Sequence, residues 1–468
     1  MKRRDFIRNS ICAGLGAAAS SGAIFDLQKI LAATKLSANF TDYKALVCLF
    51  MYGGNDGDNT LVPRGAGYNS YAAQRTGLAI PLNEILPITP LSSDGREWGF
   101  HPRFTEMQNL FDQGKVAVLG NVGPLAAPTT RTQFQNGSVP LPLNLFSHND
   151  QQVQWQTSVP DSITTATGWA GRMADLMRSS NGTWQNFTSI SLGGANTVNT
   201  GAETTVYHVS QQGTIGLSNY DDNPNTTDLK SQAINQILAL NNINEFENEF
   251  RDINTRSINS NRVIRQALAA TQPITTVFPD TNLGRQLKMI ARLISARNNL
   301  SLQRQVFFCE IGGFDTHGEQ VATQPNLLQE LSQAVGAFYA ATGELGLADK
   351  VTTYTASDFG RSYRINGSGT DHGWGNNHFI IGGAVRGKQI YGQMPVLQIN
   401  GPNDTWDNGR WIPTTSTDAY AATLARWFGA TNANFQTILP NLTRFPSSDL
   451  GFMNVITPVK SRVGQKIE

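Results

Sequence analysis

Six short, strand-length runs recur along this chain with helical patterns between them, and that alternation limits the folds open to it. Residues 45–52 (Ala-Leu-Val-Cys-Leu-Phe-Met-Tyr) form the most continuous run. A strand buried on both faces has no wet side, so it reads as unbroken apolar sequence rather than as alternation. Similar runs lie at 115–120, 187–192, 306–311, 351–356 and 379–381. Helical periodicity fills 103–113, 169–178, 282–298, 326–342 and 417–428. Strand–helix alternation predicts an α/β fold with a mostly parallel central sheet covered on both faces. In such sheets ligands bind beyond the carboxyl ends of the strands. Asp56, Asp315 and Asp358 each follow such an end, which groups them as site candidates.

With 468 residues the chain can bury a large core. Two segments break the alternation. Residues 122–146 are rich in Pro, Thr and Leu and read as a long loop. About 205–280 is rich in Asn, Thr and Gln, with helical periodicity from 227 to 268, and reads as a polar helical insertion or cap. Lys and Arg number 36 against 35 Asp and Glu, for a net charge of +1. No basic footprint for nucleic acid emerges, so a nucleic-acid partner is not expected. Cys12 lies near the N-terminus, while Cys48 and Cys309 sit inside apolar runs and read as buried thiols.

The N-terminus, Met-Lys-Arg-Arg-Asp-Phe-Ile-Arg, places Arg3-Arg4 ahead of an Ala- and Gly-rich stretch. Residues 1–33 match a twin-arginine signal, an address rather than an anchor. The expectation is a periplasmic or secreted protein that meets the twin-arginine translocase during export and has no stable membrane anchor. Residues 34–468 then form the mature domain, in which 31 basic residues face 33 acidic ones.

The residues suited to chemistry crowd between 312 and 383. Gly312-Gly313-Phe314-Asp315-Thr316-His317 puts a carboxylate and an imidazole two apart, so they can share an ion. Ser357-Asp358-Phe359-Gly360-Arg361 offers a carboxylate and a guanidinium able to hold an anionic oxygen. In Thr370-Asp371-His372-Gly373-Trp374-Gly375-Asn376, His372 is the preferred ligand, and His378 beyond it reads as structural. Ser147-His148-Asn149-Asp150 reads as a helix start, with Ser147 as N-cap. A metal there lowers a hydroxyl's pKa and makes Ser147 a nucleophile. The expected metal ligands are Asp56, Asp315, His317, Asp358 and His372, and the catalytic candidates are Ser147, His148 and Arg361. His101 and His208 read as structural or surface residues.

Taken together these motifs resemble the DUF1501 family of exported bacterial proteins. The carriers are the twin-arginine leader, the Gly-Gly-Asn-Asp-Gly run from Gly53, Ser147-His148, Gly168-Trp169 with Gly171-Arg172, the run ending in His317, Asp358 to Arg361, and residues 369–376 with Gly382-Gly383. That family is similar to the alkaline phosphatase and sulfatase superfamily. The resemblance implies a three-layer α/β/α sandwich and a site for one or two divalent metal ions, zinc, manganese or calcium. It implies that Asp56 and Asp358 share one ion, that Asp315, His317 and His372 share the other, and that Ser147 lies between them. Two departures stand out. Phe359 occupies the position of the superfamily's usual His, and Asp315 and His317 are two apart rather than four. Both bear on one of the two metal sites, which they weaken, alter or remove. No Cys-x-Pro-x-Arg sequence occurs, which disfavours a formylglycine-dependent sulfatase.

The reading that follows is an exported, metal-dependent hydrolase acting on phosphate or sulfate esters in a small anionic or polymeric substrate. The alternative is a non-catalytic exported binding or assembly protein that keeps the fold as a scaffold.

Overall fold

Side chains alternate across a strand, so a run apolar at every position must be covered on both sides. The computed structural model of the protein shows this arrangement; it describes residues 40–454 apart from 93, 163, 224 and 241–243. The basic leader expected at 1–33 lies outside the described residues. Ten strands make the central sheet. In chain order they are β1 (Lys44–Met51), β2 (Val116–Gly123), β3 (Ser189–Ser191), β4 (Tyr207–Ser210), β5 (Gly213–Thr214), β6 (Arg304–Ile311), β7 (Val351–Ser357), β8 (Asn376–Gly382), β9 (Gln389–Gly392) and β10 (Thr415–Ser416). Across the sheet the order is β9-β2-β8-β7-β1-β6-β3-β4-β5, and β10 pairs with β2. β1 runs parallel to β6 and β7. β8 runs antiparallel to both its neighbours, β7 and β2. All six expected strands are present within a few residues.

The eight main helices are α1 (Thr105–Asp112), α2 (His148–Thr157), α3 (Trp169–Met177), α4 (Leu229–Leu238), α5 (Glu245–Ala269), α6 (Asn282–Ser295), α7 (Gln320–Glu344) and α8 (Thr417–Phe428). Ala45, Val47, Leu49 and Met51 of β1 pack toward α1, α6 and α7. The intervening Leu46, Cys48 and Phe50 pack toward α3 and α8. The fold is therefore a three-layer α/β/α sandwich. Each fully buried Leu, Val or Phe contributes about 1.5–3 kcal/mol, so both layers are strongly held. Cys48 and Cys309 are buried free thiols on neighbouring strands.

The segment at 205–280 is more than a helical excursion. It opens with β4, which extends the sheet beyond β3, and β4 pairs in turn with β5. The polar sequence concealed these two short edge strands. Two helices follow. The last turns of α5 bury Ile264, Ala267 and Leu268, while Phe246 and Phe250 near its start are 85% and 69% exposed. The loop expected at 122–146 carries one short helix, Arg131–Asn136, with a capping box at Thr130 and Gln133.

Candidate metal centre

Register decides what meets at the rim of the sheet. Met51 of β1 lies opposite Ile311 of β6 and Ser357 of β7, so these three strands end side by side. β8 runs the other way and begins at that same rim. The loops beginning at Tyr52, Gly312 and Asp358, and the segment leading into Asn376, therefore emerge together. Gly53 makes their approach possible. Its φ is +110°, and a Cβ there would stand 2.3 Å from the Asp315 amide nitrogen. No other residue fits without moving the Asp315 loop.

Asp315 is the centre of the cluster. Its Oδ1 accepts from Arg361 Nη1 at 2.9 Å and lies 3.1 Å from His317 Nε2. His148 Nε2 and His372 Nε2 each stand 3.5 Å from the same oxygen. His317 Nε2 and His372 Nε2 are 2.9 Å apart. One donor atom from each of His148, Asp315 and His372 falls within 4.8 Å of the others. Three imidazoles thus turn the same nitrogen, Nε2, toward one carboxylate oxygen.

The outer nitrogens explain why. His372 Nδ1 donates to the Phe146 carbonyl at 2.7 Å; a carbonyl only accepts, so the proton sits on Nδ1 and Nε2 keeps its lone pair. His148 Nδ1 donates to Asp358 Oδ2 at 2.6 Å, which fixes the same tautomer. His317 Nδ1 faces Asp371 Oδ1 at 3.4 Å. An oxygen behind each imidazole is the arrangement that orients metal-binding histidines. The hydrogen bond from Asp358 raises the His148 pKa against the effect of partial burial. Burial lowers that of His372. For Asp315, burial pushes upward, yet the hydrogen bond and charge of Arg361 hold its carboxyl below the usual range.

The residues expected from the sequence divide between this cluster and its supports. Asp315, His317 and His372 come together, and His148, expected as a catalytic residue, joins them from the first turn of α2. Asp358 stands behind His148 rather than beside Asp315. It is fully buried, and its Oδ2 also accepts from Gln152 Nε2 at 2.8 Å. Asp56 lies apart, in a buried ion pair with Arg75 and a hydrogen bond from Gln320. It also caps the single turn Gly57–Thr60 through the amides of Asp58 and Asn59. Arg361 is buried, and its guanidinium donates to Thr370, Gly53 and Asp315, so it faces the protein interior and not an open anion site. Ser147 Oγ donates to Asp150 Oδ2 at 2.6 Å. His378 is buried with Nδ1 3.1 Å from Thr355 Oγ1, and His101 accepts from the Arg103 amide.

Phe359 fills the space beside the cluster. Its ring centroid lies 4.8 Å from that of His148 and 4.7 Å from that of His372. The outer partners Asp371, Gln152 and the Phe146 carbonyl escaped the sequence reading. A main-chain carbonyl leaves no sequence signal, and Gln152 is recognisable only once the turn of α2 is known.

The family model described as "Protein of unknown function (DUF1501)" matches residues 43–404. No curated protein matches the chain. Among solved structures, the chain is similar to Ps i-CgsB, in a structure described as a complex with k-i-k-neocarrahexaose, at 10% identity and a TM-score of 0.36, covering 87% of this chain and 75% of that one. It is also similar to the PsFucS1 sulfatase from Pseudoalteromonas sp., at 8% identity and a TM-score of 0.34, covering 86% and 71%. A third is the phosphonate monoester hydrolase SpPMH from Silicibacter pomeroyi, at 8% identity and a TM-score of 0.32, covering 82% and 73%. These likenesses are distant; the architecture rests on the sheet topology and the family on the model match.

Proposed function

The chain belongs to the DUF1501 family, and from the geometry of its site we propose that it is a metal-dependent hydrolase of phosphate or sulfate esters. The observation that supports this is the set of three Nε2 atoms gathered on Asp315 Oδ1, each imidazole backed by an oxygen on its outer nitrogen. Three nitrogens and one carboxylate suit zinc and fit calcium poorly, since calcium takes oxygen ligands. Of the zinc, manganese and calcium considered from sequence, zinc fits best. The proposed ligands are His148, Asp315, His317 and His372. Asp358 and Asp56 serve as supports, which makes one ion the better reading than two.

A divalent ion held there would polarise an ester oxygen and acidify water. The protein's own groups supply the rest. Asp358 and the Phe146 carbonyl keep the lone pairs of His148 and His372 aimed inward, and Asp371 stands 3.4 Å behind His317. Arg361 fixes Asp315. Ser147 sits one residue before His148 with its hydroxyl proton directed at Asp150, which places a nucleophile and a proton acceptor side by side. Asp315 and His317 are 47% and 45% exposed, leaving the cluster open on that side for a small anionic ester or the end of a polymer. We further propose that the protein acts after twin-arginine export, in the periplasm or outside the cell. Among the described residues no helix is long and apolar enough to cross a membrane.

The test is elemental analysis of the purified, unchelated chain, followed by turnover of aryl phosphates and aryl sulfates. About one zinc per chain, lost in His372→Ala and Asp315→Ala, together with ester turnover that needs it, is the expected result. Neither metal nor turnover would leave the scaffold reading. The exposed Phe246, Phe250 and Ile253 on one face of α5 favour that second reading, because such a stripe suits contact with another protein.

A further inference from the structure

The reacting group of a phosphate or sulfate ester is an anion, and Arg361, the cation expected to hold it, is spent on Asp315, Gly53 and Thr370. Another cation lies close by. Arg410 stacks on the Phe146 ring with its Cζ 4.5 Å from the centroid, and Phe146 is the residue whose carbonyl anchors His372. Among the described residues the Arg410 side chain has no hydrogen-bond or ion-pair partner, and its Nε is buried without one. A guanidinium carries five donors, and leaving a buried donor unmatched is costly. The neighbouring carboxylate, Asp404, is occupied by the amides of Asn400 and Arg410. The nearby Arg131 and Arg364 are committed: Arg131 bonds Asn400 and the Trp406 carbonyl, and Arg364 bonds the Asp407 carbonyl.

Local geometry sets the direction in which Arg410 points. Gly409 accepts from the Tyr363 amide, and Trp411 accepts from the Gly375 amide, so residues 409–411 run beside both segments that flank the cluster. Trp411 turns inward and donates from its indole to Asp58 at 2.9 Å. Arg410, the residue before it, turns onto Phe146. Phe146 itself has φ +71°, a left-handed conformation that a bulky residue rarely adopts. Such conformations gather at ligand sites, where the surrounding structure holds them in place. Here the unusual backbone turns the carbonyl to His372 while the ring lies under Arg410.

We propose that Arg410, stacked on Phe146, forms an oxyanion subsite that binds the non-bridging oxygens of a phosphate or sulfate group beside the His148–Asp315–His372 cluster. This rests on the hydrolase reading for its purpose, though its binding is measurable without turnover. An arginine so placed engages two oxygens of a tetrahedral anion at once.

The experiment is calorimetric titration of the full chain, as purified, with inorganic phosphate and, separately, inorganic sulfate. It compares wild type, Arg410→Gln and Arg410→Lys, with zinc content and thermal unfolding recorded for each. The expected result is that Arg410→Gln weakens binding of the preferred anion about tenfold or more. Arg410→Lys should recover part of that loss, with zinc content and melting unchanged. Equal affinity in wild type and Arg410→Gln overturns the proposal, as does a wild type that binds neither anion. Should the wild type hold no zinc, the metal reading falls by itself, and the same comparison on that sample still judges Arg410.

Discussion

His372 has its tautomer chosen by a main-chain carbonyl and His148 by a buried carboxylate, and the second choice can be altered by one atom. Asp358→Asn keeps the shape but loses the charge behind His148. Removing such an outer partner costs 10- to 100-fold in metal affinity in comparable sites. A loss of about that size in zinc affinity is expected, measured by competition with a chromophoric chelator, with little change in melting temperature. Arg361→Lys tests the other support. Lysine cannot reproduce a fork that reaches Thr370, Gly53 and Asp315 together. The expected outcome is destabilisation of about 2 kcal/mol or more by denaturant titration, because buried acceptors are left unmatched. At this scale the sequence was informative about which residue types gather and less so about their roles. Asp315, His317 and His372 were legible because they crowd at strand ends, the first two just after a strand and the third just before one. The partnership of Asp56 with Arg75 was not, since nothing in the spacing of 19 residues says that the two side chains meet in the interior.

Strand ends and helix starts carry the next set of consequences. Gly53→Ala would force a Cβ to within 2.3 Å of the Asp315 amide, so the loop holding Asp315 has to move. The expected outcome is loss of zinc binding and a fall in stability of at least about 1 kcal/mol, read by elemental analysis and denaturant titration. Helix α8 holds a different tension. Asp418 lies in its first turn, buried, with neither carboxylate oxygen hydrogen-bonded by another side chain among the described residues. Burial, only partly offset by its own backbone amide and by Arg172 and Arg444, pushes its pKa from 3.8 to about 7. The folded state therefore binds more protons than the unfolded state between these values, and stability falls as pH rises through that window. Asp418→Asn removes the titration. Its melting temperature should gain on wild type by a few degrees at pH 8 relative to pH 4, by calorimetry at both values.

Across the whole molecule, stability is unevenly spread. β1, β6 and β7 are covered on both faces, while α4 and the first half of α5 expose Leu229, Ile237, Phe246 and Phe250. Local opening follows the number of buried contacts. Hydrogen exchange should therefore be fast over α4 and the first half of α5 and slowest in β1 and β6; equal protection of both regions would contradict this. The architecture was legible because continuous apolar runs and helical periods are local signals. The edge strands β4 and β5 were missed because they are short and lie in polar sequence, where only their neighbours make them strands. The antiparallel course of β8 was equally hidden, since direction depends on topology and not on composition. Yet that reversal delivers His372 to the rim where β1, β6 and β7 end. His148 and His372 stand far apart along the polypeptide and are joined only when the finished sheet brings their loops together. If the cluster holds the proposed zinc, a half-made chain would have no grip on it, and capturing the ion would certify that assembly is complete.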